Sequence, residues 1–176
     1  MNPVLLIRVD TNDMPLGVVE KMAAHREGIL HRAFSVFIFN SEGKWLLQQR
    51  AVGKYHSAGL WTNSCCGHPQ EGDETGEAAR NRLNYEMGLD CDLRNIFNFT
   101  YRASLENGLV EHEFDHVFIG FSDELPRVNP EEVSGWRMVS IEDLREEIEA
   151  GESRFTEWFK MVYERVYKYY QLNIKS

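Results

Sequence analysis

The stretch Thr62-Asn63-Ser64-Cys65-Cys66-Gly67-His68-Pro69 is the most informative part of the chain. It places a thiol, an imidazole and two turn-forming residue types within a few positions. Because Gly67 and Pro69 favour a sharp turn over a regular element, we expect the side chains of Cys66 and His68 to project into one shared space. A reactive site or a metal site is built in this way.

The composition of the chain limits its size class and its partners. It has 176 residues with 43% hydrophobic content, enough for one substantial core, and we expect a single domain over residues 1–176. The formal net charge of -9 argues against a nucleic-acid surface, because such surfaces neutralise phosphates with Lys and Arg. Any anionic ligand must therefore meet a local basic patch.

The sequence also indicates where the protein resides. No apolar run is long enough to cross a bilayer, and Arg8 and Asp10 interrupt the N-terminal apolar stretch, unlike the pattern of a signal peptide. Bridging the neighbours Cys65 and Cys66 would need strained geometry, so three cysteines do not predict a disulfide framework. We expect free thiols and a cytoplasmic monomer with no membrane partner.

Apolar periodicity and turn residues divide the chain into alternating strands and helices. This order predicts an α/β protein with a mixed or largely antiparallel sheet. The predicted elements are a strand over Val4–Val9, a hairpin of Phe34–Phe39 and Trp45–Arg50 around Gly43, a helix over Asp73–Met87 stopped by Gly88, a hairpin of Ile96–Ala103 and Glu111–Phe121 around Asn107-Gly108, a strand over Trp136–Val139, a helix from Ile141 capped by Ser140 and ended by Gly151, and a final helix over Thr156–Leu172.

Histidines and glutamates in three segments form a candidate metal site. Glu111 and Glu113 are two residues apart in a predicted strand, so they share a face, while His112 points to the other face. The alternative is a surface carboxylate pair with hydrogen-bonding histidines, which is the role that we assign to His56 and His116. The candidate ligands are His25, His31, His68, Glu111 and Glu113, a set suited to Mn, Zn or Fe more than to Ca.

Four segments carry a recognisable pattern: Thr62–Pro69, Glu20–His25, His31–Phe34 and Glu111–Glu113. Together they resemble type I isopentenyl-diphosphate isomerase. The resemblance covers most of the chain, and its most specific parts are the motif Thr-Asn-Ser-x-Cys-Gly-His-Pro and the paired glutamates. It implies a Nudix-like α/β/α sandwich fold. It also implies an enzyme that interconverts isopentenyl diphosphate and dimethylallyl diphosphate, so the expected substrate is a small prenyl diphosphate.

The resemblance also implies cofactors and binding residues. It implies that His25, His31, His68, Glu111 and Glu113 hold one divalent ion, which we expect to be Mn²⁺ or Zn²⁺, and that Glu86 binds a Mg²⁺ that also contacts the substrate diphosphate. The basic residues that we expect to bind the substrate diphosphate are Lys21, Arg50, Lys54 and Arg82. Their alternative role is that of solvated surface charges.

The reaction itself defines the catalytic groups that are needed. Moving a double bond by one carbon requires protonation at one end and deprotonation of the neighbouring carbon, through a tertiary cation-like state. We assign Glu113, assisted by Tyr101, as proton donor and Cys66, with an ordinary pKa, as base. Metal coordination would stabilise the carboxylate form of Glu113 and so oppose its role as a proton donor. Delivery of the proton through Tyr101 therefore remains an alternative. Trp61 and Trp158 offer aromatic faces for the cation, or else pack in the core.

The motif of Nudix hydrolases, G-x5-E-x7-R-E-U-x-E-E-x-G-U with U aliphatic, can be laid over residues 67–89 as a test. Gly67, Leu83, Glu86, Gly88 and Leu89 agree, whereas the expected acid, Arg, Glu and Glu are Asp73, Asn81, Arg82 and Tyr85. A hydrolase needs its carboxylate cluster to hold metals at the diphosphate. The missing carboxylates favour an isomerase over the first alternative, a Nudix hydrolase. A non-catalytic metal-binding module stays open as a third class.

Overall fold

The fold is a mixed β-sheet with helices on both faces. The computed structural model describes residues 3–151 and 154–174. Strands β1 to β9 are Leu5–Val9, Pro15–Glu20, His31–Phe39, Trp45–Arg50, Trp61–Thr62, Cys65–Gly67, Arg94–Ser104, Val110–Phe121 and Val133–Val139. Helices α1 to α4 are Lys21–Glu27, Thr75–Met87, Ile141–Glu149 and Glu157–Asn173, and a short 3-10 turn spans Glu106–Gly108.

Strand β3 organises the sheet. It runs parallel to β8 along its whole length, and antiparallel partners β1, β4 and β6 share its other edge. Strand β8 also pairs with β7, and β4 pairs with β9, both antiparallel. The mixed sheet predicted from the sequence is therefore confirmed.

Successive residues of β3 serve two different cores, because strand side chains alternate between faces. Val36 and Ile38 pack with the buried residues of α2, while Phe37 and Phe39 pack with those of α4. Burial on both sides makes β3 an almost continuous apolar run, as expected for a strand covered on both faces. This arrangement is the α/β/α sandwich that the resemblance implied.

The first 30 residues contain two elements that the sequence analysis did not predict. Strand β2 is exposed along most of its length and contains Pro15 and Gly17, so it lacks the apolar alternation of a half-buried strand and occupies the sheet edge. Helix α1 has only seven residues; Glu20 caps it by accepting from two backbone N–H groups, and Gly28 ends it at φ 65°.

The stretch Thr62–Pro69 does not fold as an isolated turn, which corrects the sequence prediction. The β3–β4 hairpin is paired only next to its turn, through Ile38 and Phe39. Beyond that point β6 pairs with β3 instead, and Cys66 lies opposite Ser35. Cys66 and His68 still project the same way, because they are two residues apart in extended chain.

The helix boundaries follow the predicted signals closely. The Ser140 hydroxyl accepts from the Asp143 backbone N–H at 3.1 Å and begins α3. Gly88, at φ 66°, ends α2 where the sequence predicted a stop. Among the helices in the described ranges, none combines the length and the apolar character needed to cross a membrane.

Candidate active site

Strand register places three of the predicted site residues side by side. Tyr101 on β7 lies opposite Glu113 on β8, and Glu113 lies opposite His31 on β3. The Tyr101 hydroxyl donates to Glu113 Oε2 at 2.6 Å, while Glu113 Oε1 is 3.6 Å from His31 Nε2. Glu113 therefore links a tyrosine on one side to the histidine cluster on the other.

Backbone carbonyls orient two of the candidate metal ligands. His25 Nδ1 lies 2.6 Å from Lys21 O, and His31 Nδ1 lies 2.8 Å from Ile29 O. Because a carbonyl only accepts, each Nδ1 carries a hydrogen, and in the neutral ring the Nε2 lone pair is free to bind a metal. The sequence could not supply the orientation of His31, since Ile29 lies in the turn that follows α1.

The candidate ligand atoms of His25, His31, His68 and Glu111 all lie within 4.8 Å of one another. Among the described residues, the buried His31 Nε2 has no hydrogen-bond partner, and the buried Glu111 Oε2 has only His25 Nε2 nearby, at 3.1 Å. Three imidazoles and a carboxylate suit a borderline divalent cation, and a cation would satisfy these two atoms. Glu113 adjoins the group, since its Oε1 is 2.9 Å from His68 Nε2.

The protonation of Glu111 and His68 is suited to cation binding. Burial lowers the pKa of His25, but Glu111 outweighs burial and raises that pKa, so a bound cation competes with a proton on this imidazole. Burial raises the pKa of Glu111, but His25 and His56 outweigh it and hold that pKa well below its usual range. Burial lowers the pKa of His68 to about 4, so this imidazole is neutral at neutral pH. Neutral imidazole and ionised carboxylate are the forms that bind metals.

These groups open into one cavity of about 490 Å³. His25 and His31 lie fully buried beside it. The cavity is lined by most of the site residues predicted from the sequence, namely Lys21, Arg50, Lys54, Cys66, His68, Arg82, Glu86, Tyr101, Glu111, Glu113 and Trp158. Trp61 is not among the described residues that line it.

The side chain of Cys66 is held from one side by Asn63. The Asn63 amide nitrogen donates to Val36 O at 3.0 Å and to Cys65 O at 2.8 Å. These two bonds fix the amide, so its oxygen faces the Cys66 thiol, which donates to it at 3.2 Å. Asn63 is fully buried, so its amide holds the thiol in place.

The Cys66 thiol does not have the ordinary pKa that we expected from the sequence. Burial raises its pKa to about 12, and the charge of Asp115 contributes to the rise. Asp115 accepts a hydrogen bond of 2.7 Å from the Ser35 hydroxyl, which lies 3.6 Å from Cys66 Sγ. At neutral pH Cys66 is therefore a thiol, whereas nearby Glu113, whose pKa His31 and His68 lower against the effect of burial, is ionised.

The two predicted tryptophans occupy different environments. Trp158 is 4% exposed and lines the cavity, and the Arg50 guanidinium lies over its ring at 5.3 Å. Trp61 shares β5 with Thr62, and of these two it is Thr62 that lines the cavity. The guanidinium of Arg137 lies 4.6 Å from the centre of the Trp61 ring. This position does not support the cation-stabilising role predicted for Trp61.

Comparison with known proteins shows the family. Residues 29–159 match the NUDIX domain. An isopentenyl-diphosphate Delta-isomerase of Pectobacterium atrosepticum is 49% identical over 94% of this chain and 93% of its own length. One of Serratia proteamaculans is 50% identical over 88% and 87%, respectively. The chain belongs to the isopentenyl-diphosphate Delta-isomerase family, within the NUDIX fold.

Solved structures support the fold of this isomerase family member. A protein of Deinococcus radiodurans has a TM-score of 0.75 at 23% identity and covers 92% of this chain and 98% of its own. A MutT protein of Methanosarcina mazei has a TM-score of 0.65 at 18% identity, with 82% and 96% covered. At these identities the likeness concerns the fold alone.

In this isomerase family member, helix α2 carries the Nudix frame but presents one carboxylate to the cavity. Glu86 is 4% exposed and lines the cavity. Its oxygens accept from Gln48 Nε2 at 2.8 Å and from Arg82 Nε at 2.6 Å. Asp73, at the position of the first motif acid, is exposed and accepts from the Gln70 backbone N–H.

Three of the four predicted diphosphate cations are already paired. Arg50 donates to the carbonyls of His56 at 3.0 Å and Ser57 at 3.1 Å, so it holds the loop between β4 and β5. Lys54 and Arg82 both pair with Glu132. Lys21 lies with its ammonium over the Tyr55 ring at 4.9 Å.

His56 belongs to the site, although the sequence analysis gave it only a general hydrogen-bonding role. Its Nε2 is 3.0 Å from Glu111 Oε1, and because a carboxylate only accepts, Nε2 carries the hydrogen. Its Nδ1 then accepts from the Ser57 hydroxyl at 3.2 Å. His116 instead pairs with Asp13 at 2.9 Å, in keeping with its predicted role.

We predict that replacing His56 with leucine weakens binding of Mn²⁺ or Zn²⁺ by about 10–100-fold, because partners that orient metal ligands typically matter to this extent. With His56 holding Oε1, Glu111 presents Oε2 to the cluster. Competition with a chelator measures the affinity. His116→Leu, which removes an imidazole outside the cluster, is the matched control and should bind as the wild type does. Equal affinity in all three proteins would contradict the prediction.

Proposed function

We propose that this chain interconverts isopentenyl diphosphate and dimethylallyl diphosphate by protonation and deprotonation of the allylic system. The observation that carries the proposal is that Cys66 and the hydrogen-bonded pair Tyr101–Glu113 line the same cavity. Relatives of nearly equal length that are 49–50% identical carry the name isopentenyl-diphosphate Delta-isomerase. Two proton-handling groups at one cavity are what a double-bond shift requires.

The protonation states suggest the order of proton transfer. With Cys66 as a thiol and Glu113 as a carboxylate, Cys66 donates a proton to one end of the alkene and Glu113 accepts one from the neighbouring carbon. This order reverses the one that we assigned from the sequence. After a forward turnover Cys66 is a thiolate and Glu113 is protonated, which are the forms that the reverse reaction uses; exchange of protons with solvent restores the starting forms for the next forward turnover.

The walls of the cavity would stabilise and protect the cation-like state. An aromatic face near a desolvated cation contributes about 2 kcal/mol, and Trp158 is the buried indole that lines the cavity. Burial of Tyr101 raises the pKa of its hydroxyl well above its usual range, so it remains a hydrogen-bond donor to Glu113. Both side chains also exclude water, which would otherwise trap the cation.

Cation binding completes the proposal. His25, His31, His68, Glu111 and Glu113 would hold the divalent ion, Mn²⁺ or Zn²⁺, and Glu86 would hold Mg²⁺ beside the diphosphate. When bound, these ions supply positive charge that neutralises the diphosphate and fixes the carboxylates. Lys21, Arg50, Lys54 and Arg82 line the same cavity and would bind the diphosphate oxygens.

An assay that follows the alkene and the phosphate together tests the proposal. Pure protein is incubated with isopentenyl diphosphate, Mg²⁺ and Mn²⁺, and ¹H NMR and ³¹P NMR follow the products. We expect dimethylallyl diphosphate with no release of phosphate. Phosphate release without a shifted double bond would indicate the hydrolase, and full metal loading without any product would indicate a binding module. The cytoplasmic location, the monomeric state and the single domain stay predictions.

A further inference from the structure

Glu132 accepts hydrogen bonds from two of the four basic residues that we assign to the diphosphate. Its carboxylate pairs with the ammonium of Lys54, and its Oε2 is 2.8 Å from Arg82 Nη2. Glu86 accepts from Nε of the same arginine at 2.6 Å. Two cations that line the cavity are thus paired with a carboxylate for which the proposed reaction has no use.

The backbone fixes Glu132 at this place. Its N–H donates to Asn129 O at 3.0 Å, and its carbonyl accepts from the Ala51 N–H at 2.9 Å. The Asn129 N–H in turn donates to Glu86 O at 2.9 Å. The segment is therefore tied both to the end of β4 and to the end of α2, so the contact with Lys54 and Arg82 belongs to the fold.

A carboxylate and a phosphate oxygen compete for the same hydrogens, because both are anionic acceptors of charge-assisted hydrogen bonds. We propose that Glu132 is an internal competitor of the diphosphate: its carboxylate holds Lys54 and Arg82 and releases them when a diphosphate binds. The inference rests on the proposed function, since it assumes that the two cations bind a diphosphate.

Competition by Glu132 would favour release of the product. Substrate and product carry the same diphosphate, so tighter binding of that group stabilises both equally and does not accelerate the chemical step. A carboxylate that must be displaced weakens the binding of both. It thereby shortens the time for which the product occupies the cavity.

Binding of inorganic pyrophosphate, measured by titration calorimetry with Mg²⁺, tests the inference. We expect Glu132→Gln to bind pyrophosphate about tenfold more tightly than the wild type, because one nearby negative charge is removed. Glu124→Gln is the matched control: Glu124 is exposed and is not among the residues that line the cavity, so the same charge change there should alter the affinity less than twofold. Equal or weaker binding by Glu132→Gln, or an equal gain in both variants, would overturn the inference.

Two further measurements keep the outcomes separate. Glu132→Ala should also bind more tightly, and its circular dichroism spectrum reports whether either variant misfolds. In turnover, both Glu132 variants should show stronger inhibition by pyrophosphate. If the wild-type protein binds pyrophosphate but does not isomerise isopentenyl diphosphate, the proposed function is wrong. The comparison of pyrophosphate affinities would still decide the role of Glu132.

Discussion

Cys66→Ala lowers the isomerase turnover number by at least about 10²–10⁴-fold, the range that general acid or base catalysis contributes. Alanine cannot exchange a proton with the substrate, and the described residues around Cys66 offer no other thiol that lines the cavity. Binding of pyrophosphate should be retained, because the cations that we assign to the diphosphate are unchanged. Initial rates of dimethylallyl diphosphate formation measure the effect.

Cys65→Ala is the matched control for this prediction. Cys65 lies on the opposite face of β6, fully buried in the core beside α2. Removing its sulfur leaves a small cavity and costs about 1 kcal/mol of stability, so turnover at 25 °C should stay within a few-fold of the wild type. Equal loss of turnover in the two variants would show that the thiol next to Gly67 has no special role.

Glu113→Gln is expected to lower turnover by a similar factor, about 10²–10⁴-fold. Glutamine preserves the size of the side chain but cannot exchange a proton with the substrate. It also changes the group that faces His68 at 2.9 Å and Tyr101 at 2.6 Å. Metal content is therefore measured on the same sample, so that lost catalysis and lost cation are distinguished.

Tyr101→Phe separates the two candidates for proton transfer on this side of the cavity. If Glu113 is the exchanging group, the tyrosine only holds its carboxylate, and we expect a loss of about 10–100-fold, smaller than that of Glu113→Gln and typical of one lost charge-assisted hydrogen bond. If turnover falls equally in both variants at equal metal content, the proton passes through the Tyr101 hydroxyl and our assignment is wrong.

The sequence predicted those parts of the site that depend on local pattern. The alternation of a strand was enough to place Glu111 and Glu113 on one face, and the structure has both side chains buried toward the cavity with His112 turned away to Gly28 O. The central strands and three of the helices followed from periodicity and capping residues in the same way. These features need only the neighbours along the chain.

The remaining features depend on contacts between distant segments. His56 reaches Glu111 only because Arg50 fixes the loop between β4 and β5. Glu132 meets Lys54 because the chain returns 78 residues later to the end of β4. Such contacts leave no periodic trace in the sequence. The ordinary pKa expected for Cys66 was wrong for the same reason, since burial is set by tertiary packing.

The measurement that tests the central claim most directly is turnover of isopentenyl diphosphate in D₂O, followed by NMR. Protonation of the terminal alkene carbon by an exchangeable group of the protein transfers solvent deuterium to that carbon. The account predicts dimethylallyl diphosphate that carries deuterium in its new methyl group, with the diphosphate intact. Dimethylallyl diphosphate without deuterium in that methyl group, or release of phosphate in place of isomerisation, would contradict it.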